Sequence, residues 1–204
     1  MVADQQLLEV VSRIGHSTVE GQYLRHLAAK RLPDALTGYD GGARWNPPHT
    51  FPALYFTDDH RSCVVEAYRH MQEAILDLPA DQEIQIAPRA LLTAQIHASR
   101  ILDLTKPAAR VVLGLDPAIF FSEPQTPTNG AAYQSCGRVA VAAHRLDYHG
   151  ILAPAATQYG HTLVLFTDKL PEDERPVLVG EPVIWTSLPP DPRVLRIVSQ
   201  EHPT

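Results

Sequence analysis

The sequence predicts a single α+β domain. Three observations support this prediction. The chain has 204 residues, a length that fits one domain with a substantial buried core. Segments with the apolar period of helices and short apolar runs typical of strands follow one another without regular alternation. No internal repeat, low-complexity tract or domain boundary interrupts the sequence.

The first elements are a predicted helix and a long loop. Residues 2–14 place apolar side chains three or four positions apart, as an amphipathic helix does: Leu7, Leu8, Val11 and Ile14. Residues 23–29 are compatible with a strand or a helical turn, and their pattern does not decide between them. Residues 31–50 contain three prolines and three glycines, which predicts a loop. Loops of this length inside a domain more often have a function than act only as connections.

A short strand and a long helix are predicted next. Residues 53–57 have the composition of a strand, and a period of two places Tyr55 on the face opposite its two neighbours. A helix is expected over 59–78, with Thr57 or Asp58 as its N-terminal cap. Its buried stripe is predicted to contain Val64, Ala67, Met71, Ala74 and Leu78.

The middle of the chain is predicted to contain strands, a short helix and a second long loop. Residues 93–98 and 101–104 read as two pieces of strand joined by a kink. Pro107 suits the first turn of a short helix, where its missing N–H has no cost. Residues 116–130 contain three prolines and predict a loop.

The last third is predicted to begin with a helix and end in a proline-rich tail. The helix is expected over 131–149, with Gly150 as its C-terminal stop. Two apolar runs predict further strands, at residues 151–153 and 162–166. The tail, residues 171–204, holds seven of the eighteen prolines and is expected to wrap the surface, with a strand at 183–186.

The composition argues against several classes of protein. The formal net charge is −6 and the basic residues are scattered, so no nucleic-acid-binding face is expected. No apolar run approaches the roughly 18 residues of a membrane helix. The N-terminus lacks the layout of a secretion signal. Cys63 and Cys136 fall inside predicted helices, as reduced buried thiols do, and we therefore expect a cytoplasmic protein.

The sequence also lacks the motifs of the commonest cofactor sites. The ten histidines include no pair at metal-binding spacing, and no His-Glu-x-x-His segment is present, so no metal is expected. The glycine patterns of dinucleotide-binding Rossmann turns and of P-loops are absent as well.

Three side chains between residues 44 and 66 supply a cation, a phenol and a carboxylate. Arg44 follows two glycines in a loop, and its planar guanidinium suits phosphate, although arginines in such places are more often structural. Tyr55 could face a ligand, but it is equally compatible with a structural role, as a half-buried ring whose hydroxyl is hydrogen-bonded within the protein. Glu66 lies at the border of the apolar stripe, where a carboxylate needs a partner or has a raised pKa. Taken singly, these residues leave both interpretations open.

The order of the motifs along the chain is more specific than any one of them. The segments concerned are Arg25, Gly41-Gly42-Ala43-Arg44-Trp45-Asn46-Pro47-Pro48, Phe51-Pro52-Ala53-Leu54-Tyr55, Cys63-Val64-Val65-Glu66, Leu102-Asp103-Leu104-Thr105, Tyr133-Gln134-Ser135-Cys136 and Gly150-Ile151-Leu152-Ala153-Pro154-Ala155-Ala156. This order resembles the RES domain, a family named for its Arg, Glu and Ser that supplies toxins of RES–Xre toxin–antitoxin modules. The resemblance covers about residues 20–167, and Arg44-Trp45-Asn46 is its most specific part.

The resemblance implies a fold, an activity and a partner. The fold would be related to ADP-ribosyltransferases, with a mixed sheet and flanking helices in one domain. The activity would be cleavage of the nicotinamide–ribose bond of NAD, which is consumed as a substrate with water or phosphate as the acceptor and without a metal. The partner would be a cognate Xre-like antitoxin, with no direct contact to nucleic acid or membrane.

The resemblance also implies site residues. It assigns catalytic roles to Arg25, Arg44, Glu66 and Ser135, and it assigns NAD binding to Arg25, His26, Arg44, Tyr55, Gln134 and Ser135. The chain departs from the family pattern at two of these positions. Gln134 stands where the family serine is usual, with Ser135 one residue later, and His26 stands where a tyrosine often follows the first arginine.

Two further functions remain open. The chain would be an ADP-ribosyltransferase if a protein side chain replaced water or phosphate as the acceptor. It would be an NAD-binding module without turnover if Gln134 had replaced a required serine.

Overall fold

A seven-stranded sheet lies at the centre of the structure, a computed structural model that describes residues 2–76, 87–121 and 130–194. The strands are β1 (Ser17–Ala28), β2 (Ala53–Thr57), β3 (Arg89–Asp103), β4 (Gly150–Pro154), β5 (His161–Phe166), β6 (Val177–Leu178) and β7 (Val183–Trp185). The helices are α1 (Val2–Ile14), α2 (His60–Leu76), α3 (Pro107–Val112), α4 (Pro117–Phe121) and α5 (Gly130–Arg145). The expected mixed sheet with flanking helices in one domain is thereby confirmed.

The sheet is bent until two of its strands meet a second time. Its order is β1-β2-β5-β4-β3-β6, and β7 also pairs with β3. All pairs are antiparallel except β3 with β4. In addition, β1 pairs with β3 along nearly its whole length, whereas β1 and β2 pair only at Leu24 and Thr57. The strands β1, β2, β5, β4 and β3 therefore form a closed circuit with one weak junction, between β1 and β2.

The three largest of four apolar clusters pack around this sheet as follows. Side chains from β1, β2, β3 and β5 meet in one cluster, which includes Val19, Phe56, Ile96 and Leu165. On the opposite face of β2 and β5, helices α1 and α5 pack in a second cluster around Trp45. Helix α2 packs in a third cluster with Trp185 of β7. The alternation predicted for 53–57 is confirmed, since Tyr55 packs with the second cluster and its neighbours with the first.

The kink predicted between 98 and 101 is a bulge within one continuous strand. Arg100 has a φ of 52°, in the left-handed region that non-glycine residues rarely adopt. The pairing register shifts there, because Val19 pairs with Ala98 but Ser17 pairs with Ile101. The bulge re-aims the end of β3 so that it can pair with β4.

Several boundaries differ from the sequence-based expectations. Helix α2 is capped by Asp59 rather than Thr57 or Asp58, since Asp59 Oδ1 accepts the N–H of Arg61 at 2.8 Å. Residues 23–29, left undecided by their pattern, belong mostly to β1, and the loop expected over 116–130 contains α4. Part of the α2 stripe (Leu78) and part of that loop (122–129) lie outside the described residues.

The end of α5 also differs from expectation. The helix ends at Arg145 rather than His149, and Asp147 takes a left-handed φ of 57° in the turn that follows. Gly150 is not the helix stop but the first residue of β4. A Cβ at this position would collide with the backbone carbonyl of Val164 on β5, so close strand pairing explains the glycine.

Candidate active site

Arg25 occupies the weak junction between β1 and β2. It follows Leu24, the last residue that pairs across this junction, and its Nη1 donates to the carbonyl of Tyr55 at 3.0 Å. Its Nε is buried and has no hydrogen-bond partner within the described part of the chain. Burial, together with the charge of Arg31, lowers the pKa of Arg25 to about 10, so the guanidinium stays charged at neutral pH. A partly buried cation with an unpaired donor is suited to binding an anionic ligand.

The partly buried side chain of Tyr55 reaches from β2 into the loop that precedes this strand. Its hydroxyl donates to Asn46 Oδ1 at 2.7 Å and accepts the backbone N–H of Trp45 at 3.1 Å. Asn46 in turn donates from Nδ2 to the carbonyl of Tyr39 at 2.9 Å. Burial raises the pKa of Tyr55, which therefore stays protonated as a donor. The hydroxyl thus fixes the loop beside Arg44.

Arg44 is anchored between α4 and α5. It is 8% exposed, its Nη1 donates to the carbonyl of Ile119, and its guanidinium lies 4.7 Å from the centre of the Tyr133 ring. The preceding Gly42 has a φ of 102°, which favours glycine at this turn. The structure therefore joins Arg44 to the start of α5, where Gln134 and Ser135 are found.

Glu66 lies on α2 and remains partly open to solvent. Its Oε1 pairs with Arg69 Nη1 at 2.8 Å, and its side chain is 36% exposed while that of Arg69 is 10% exposed. Arg69 also donates to the carbonyl of Ala156. One turn earlier, the thiol of Cys63 has a pKa raised to about 12, by burial first and then by the charge of Glu66, whereas Arg25 acts in the opposite direction. Cys63 thus lies near both Arg25 and Glu66.

His26 is held by an arginine that sequence analysis missed. Arg89 of β3 donates to Nδ1 of His26 from Nε at 3.1 Å and from Nη2 at 3.0 Å. The ring of His70, on α2, is 5.4 Å from that of His26. No local pattern marks Arg89, because its partner is 63 residues away and only the β1–β3 register brings them together.

Gln134 opens onto a separate, largely apolar cavity of about 430 Å³. The cavity lies between α1, the loop around Pro47 and Pro48, and α5, and it is not lined by Arg25, Arg44 or Glu66. Arg138 and Arg145 of α5 border it, and neither makes an ion pair with any residue that the structure describes. Ser135 is half-buried on the same helix.

The contacts therefore connect most of the predicted site residues. Hydrogen bonds run from Arg25 to Tyr55 and on to the loop that carries Arg44, while Arg25 and Glu66 both act electrostatically on Cys63. His26 adjoins Arg25 on β1. Tyr133, which precedes Gln134 and Ser135 on α5, stacks on Arg44 and so connects the start of this helix to the assembly.

Residues 2–76, 87–121 and 130–194 contain no group of three or more His, Cys, Asp or Glu side chains arranged to hold a metal ion. Among them there is also no helix with the length and hydropathy required to cross a membrane.

Comparison with known proteins gives consistent matches. The sequence model of the RES domain matches residues 22–186. The chain is 31% identical over 169 residues to the NAD(+) phosphorylase MbcT of Mycobacterium tuberculosis H37Rv, covering 81% of this chain and 84% of the relative, and the protein of that name from Mycobacterium bovis matches equally. The crystal structure of the M. tuberculosis MbcT–MbcA toxin–antitoxin complex contains a chain that superposes with a TM-score of 0.70 at 29% identity, covering 87% of this chain and 91% of that one.

Proposed function

The chain belongs to the RES domain family, and we propose that it is a toxin that degrades NAD by cleaving the bond between nicotinamide and ribose. The observation that carries the proposal is that a partly buried cation, Arg25 at the β1–β2 junction, and a partly exposed carboxylate, Glu66 on α2, both act electrostatically on the same thiol, that of Cys63. The name of its relative, NAD(+) phosphorylase, supports the same substrate.

The chemistry requires charge stabilisation more than proton transfer. Nicotinamide is positively charged in NAD, so it leaves with the bonding electron pair as a neutral molecule. The anomeric carbon of ribose then gains oxocarbenium character, which a nearby carboxylate stabilises in the transition state. We assign this role to Glu66, because Arg69 holds one of its oxygens while the side chain remains accessible.

The acceptor completes the reaction at the same carbon. An oxygen of inorganic phosphate forms the new bond in phosphorolysis and gives an ADP-ribose phosphate, whereas water gives ADP-ribose and a proton. We favour phosphate, since the relative is named a phosphorylase. We assign binding of the NAD pyrophosphate to Arg25 and Arg44, and the remaining wall of the pocket to His26, Tyr55, Gln134 and Ser135.

The proposal is tested by incubating the purified protein with NAD, with and without phosphate, and measuring nicotinamide and the ribose product by chromatography. We expect nicotinamide release, and Glu66→Gln should lower its rate about 100-fold or more, as loss of a transition-state stabiliser does. Glu172→Gln, at an exposed glutamate, is the matched control. Absence of release under both conditions from folded protein would contradict the proposal.

The same experiment separates the two alternatives. With labelled NAD and cell lysate, transfer to a protein acceptor would appear as a labelled band that Glu66→Gln removes. Binding of NAD without nicotinamide release would identify a binding module, and Gln134→Ser should then restore turnover.

We propose in addition that a cognate Xre-like antitoxin neutralises the protein in the cytoplasm. The relative's solved structure is a toxin–antitoxin complex, which supports a protein partner. On this chain, the apolar cavity between α1 and α5 offers a surface for it, because no carboxylate lines the cavity in the part of the chain that the structure describes, while Arg138 and Arg145 border it. A segment with apolar and acidic side chains would complement this surface.

Co-purification tests this partner. We expect a small helical protein encoded beside this chain to bind it, and Arg138→Glu combined with Arg145→Glu should weaken binding without lowering NAD cleavage. Arg61→Glu with Arg193→Glu is the matched control, away from the cavity. Unchanged binding of the cavity variant would place the antitoxin elsewhere.

A further inference from the structure

The Arg89 guanidinium determines which nitrogen of His26 carries the proton. Arg89 donates two N–H groups to the same atom, Nδ1 of His26. A guanidinium has only donors, so Nδ1 must supply a lone pair and cannot be protonated. A neutral imidazole then carries its proton on Nε2.

The surroundings of His26 keep the imidazole neutral. Burial lowers its pKa well below the ordinary value of 6.5, and the charges of Arg89 on β3, of His70 on α2 and of Arg25 on β1 act in the same direction. On α2, Cys63 accepts the backbone N–H of His26, and its own raised pKa of about 12 leaves it an uncharged thiol. None of these groups (Arg89, His70, Arg25 and the Cys63 thiol) stabilises an imidazolium.

The protonated nitrogen, Nε2, has no hydrogen-bond partner within residues 2–76, 87–121 and 130–194. All hydrogen bonds of His26 side-chain atoms in these ranges involve Nδ1 and Arg89. The residue follows Arg25 on β1, just past the Leu24–Thr57 pair at which β1 and β2 diverge. The charge of Arg25 acts on His26, so this unused donor lies within electrostatic reach of the cation assigned to NAD binding.

We infer that His26 donates a hydrogen bond from Nε2 to an oxygen acceptor of the bound NAD, and that Arg89 is a positioning residue that fixes this tautomer. The inference rests on the proposed function and adds a constraint to it. With its proton on Nε2 and its lone pair used by Arg89, His26 has no free basic nitrogen and is not a general base. The ligand group that it selects is a carbonyl, hydroxyl or phosphate oxygen, all of which accept hydrogen bonds.

Nitrogen NMR of the imidazole tests the tautomer without any substrate. In protein with labelled histidine, the His26 signals, assigned by their loss in His26→Gln, should show unprotonated Nδ1 and protonated Nε2 from pH 6 to pH 8. Arg89→Met should abolish this fixed pattern and raise the pH at which His26 titrates, because a donor and a neighbouring cation are both lost. A proton on Nδ1 at pH 7 in the wild-type protein would overturn the inference.

Substitution of His26 tests the donor role. His26→Phe keeps a ring but removes the donor. We expect the KM for NAD to rise about 3- to 10-fold, because one neutral hydrogen bond to the ligand is lost. His26→Gln retains an N–H donor at a similar distance from the backbone and should recover most of this loss. His97→Phe is the control, since His97 is a solvent-exposed histidine on β3.

Arg89→Met should behave like His26→Phe, with a raised KM and a smaller change in kcat, since it frees the imidazole to adopt the other tautomer. A wild-type KM in both His26→Phe and Arg89→Met would exclude the donor role. If wild-type protein neither binds nor cleaves NAD, the proposed function itself fails and the donor role fails with it. The NMR result still decides the tautomer in that case, so the two failures are distinguishable.

Discussion

At the residue scale, Tyr55 links the two arginines of the candidate site. Its carbonyl accepts a hydrogen bond from Arg25. Its hydroxyl hydrogen-bonds to Trp45 and Asn46 in the loop that carries Arg44. The backbone of Tyr55 thus positions Arg25, and its side chain positions the loop of Arg44. The resemblance suggested a pocket tyrosine, and the contacts indicate that it contributes by positioning the loop.

Tyr55→Phe should therefore loosen the loop without opening a cavity. The change leaves the Asn46 amide oxygen and the Trp45 N–H buried without their partner, which costs about 1–3 kcal/mol. Urea unfolding should show this loss, and NAD cleavage should fall through misplacement of Arg44. Tyr39→Phe is the control, because Tyr39 is 49% exposed and its hydroxyl makes no hydrogen bond in the described ranges. Equal stability of the two variants would contradict this role.

At the scale of elements, a short 3-10 turn attaches the C-terminal tail to the bulge of β3. Glu174, at the end of the turn Glu172–Glu174, accepts hydrogen bonds from the Ser99 hydroxyl at 2.5 Å and from His149 Nδ1 at 2.6 Å. The Ser99 backbone N–H donates to the same carboxylate at 3.0 Å. The strained residue Arg100 adjoins this contact, so the carboxylate supports the bulge as well as the tail.

This attachment should weaken in acid. Burial raises the pKa of Glu174, but the hydrogen bonds from Ser99 and His149 outweigh it, and the net pKa lies below the ordinary 4.5. The unfolded state then binds more protons than the folded state, so this contribution to stability is present above pH 4.5 and is lost as pH falls through the folded-state pKa.

Unfolding by urea at a series of pH values measures this effect. Glu174→Gln should be less stable than the wild-type protein at pH 7, and the difference should shrink below pH 4. Glu172→Gln, in the same turn but exposed, should follow the wild-type profile. A constant difference between wild type and Glu174→Gln across this range would show that the carboxylate charge is not involved.

Elements encoded by local patterns were predictable, and those decided by distant contacts were not. Strand β2 and helices α1 and α2 follow from apolar periods within their own residues. The end of α5 does not follow from such a pattern, because Gly150 is needed for close pairing with Val164 on strand β5 rather than for ending the helix. The same distinction applies to the candidate site: the motif order predicts roles for Arg25, Arg44 and Glu66, whereas the Arg89–His26 contact depends on pairing between strands far apart in sequence.

At the scale of the whole molecule, the two tryptophans report on different apolar clusters. Trp45 packs with α1 and α5, whereas Trp185 of β7 packs with α2. The closed circuit of strands lies between them, and β3 contacts both the N-terminal strand and the tail. We therefore propose that residues 1–204 form one unfolding unit, including the tail.

Single-tryptophan variants test this unity. Trp45→Phe leaves Trp185 as the only tryptophan, and Trp185→Phe leaves Trp45. In each variant the fluorescence transition should coincide with that of far-UV circular dichroism, as a two-state domain requires. A separate, earlier transition of Trp185 alone would identify the tail as an independent unit.

The pairing of β2 has a consequence for synthesis of the chain on the ribosome. Strand β2 is joined to β1 by one residue pair but to β5 by five, so its place is secured only when His161–Phe166 has been made. The carbonyl that Arg25 requires lies on β2. About 100 residues separate Glu66 from the end of β5, roughly 5–20 s of translation. A nascent chain therefore carries both the arginine and the carboxylate for about half of its synthesis before the pocket around them can assemble.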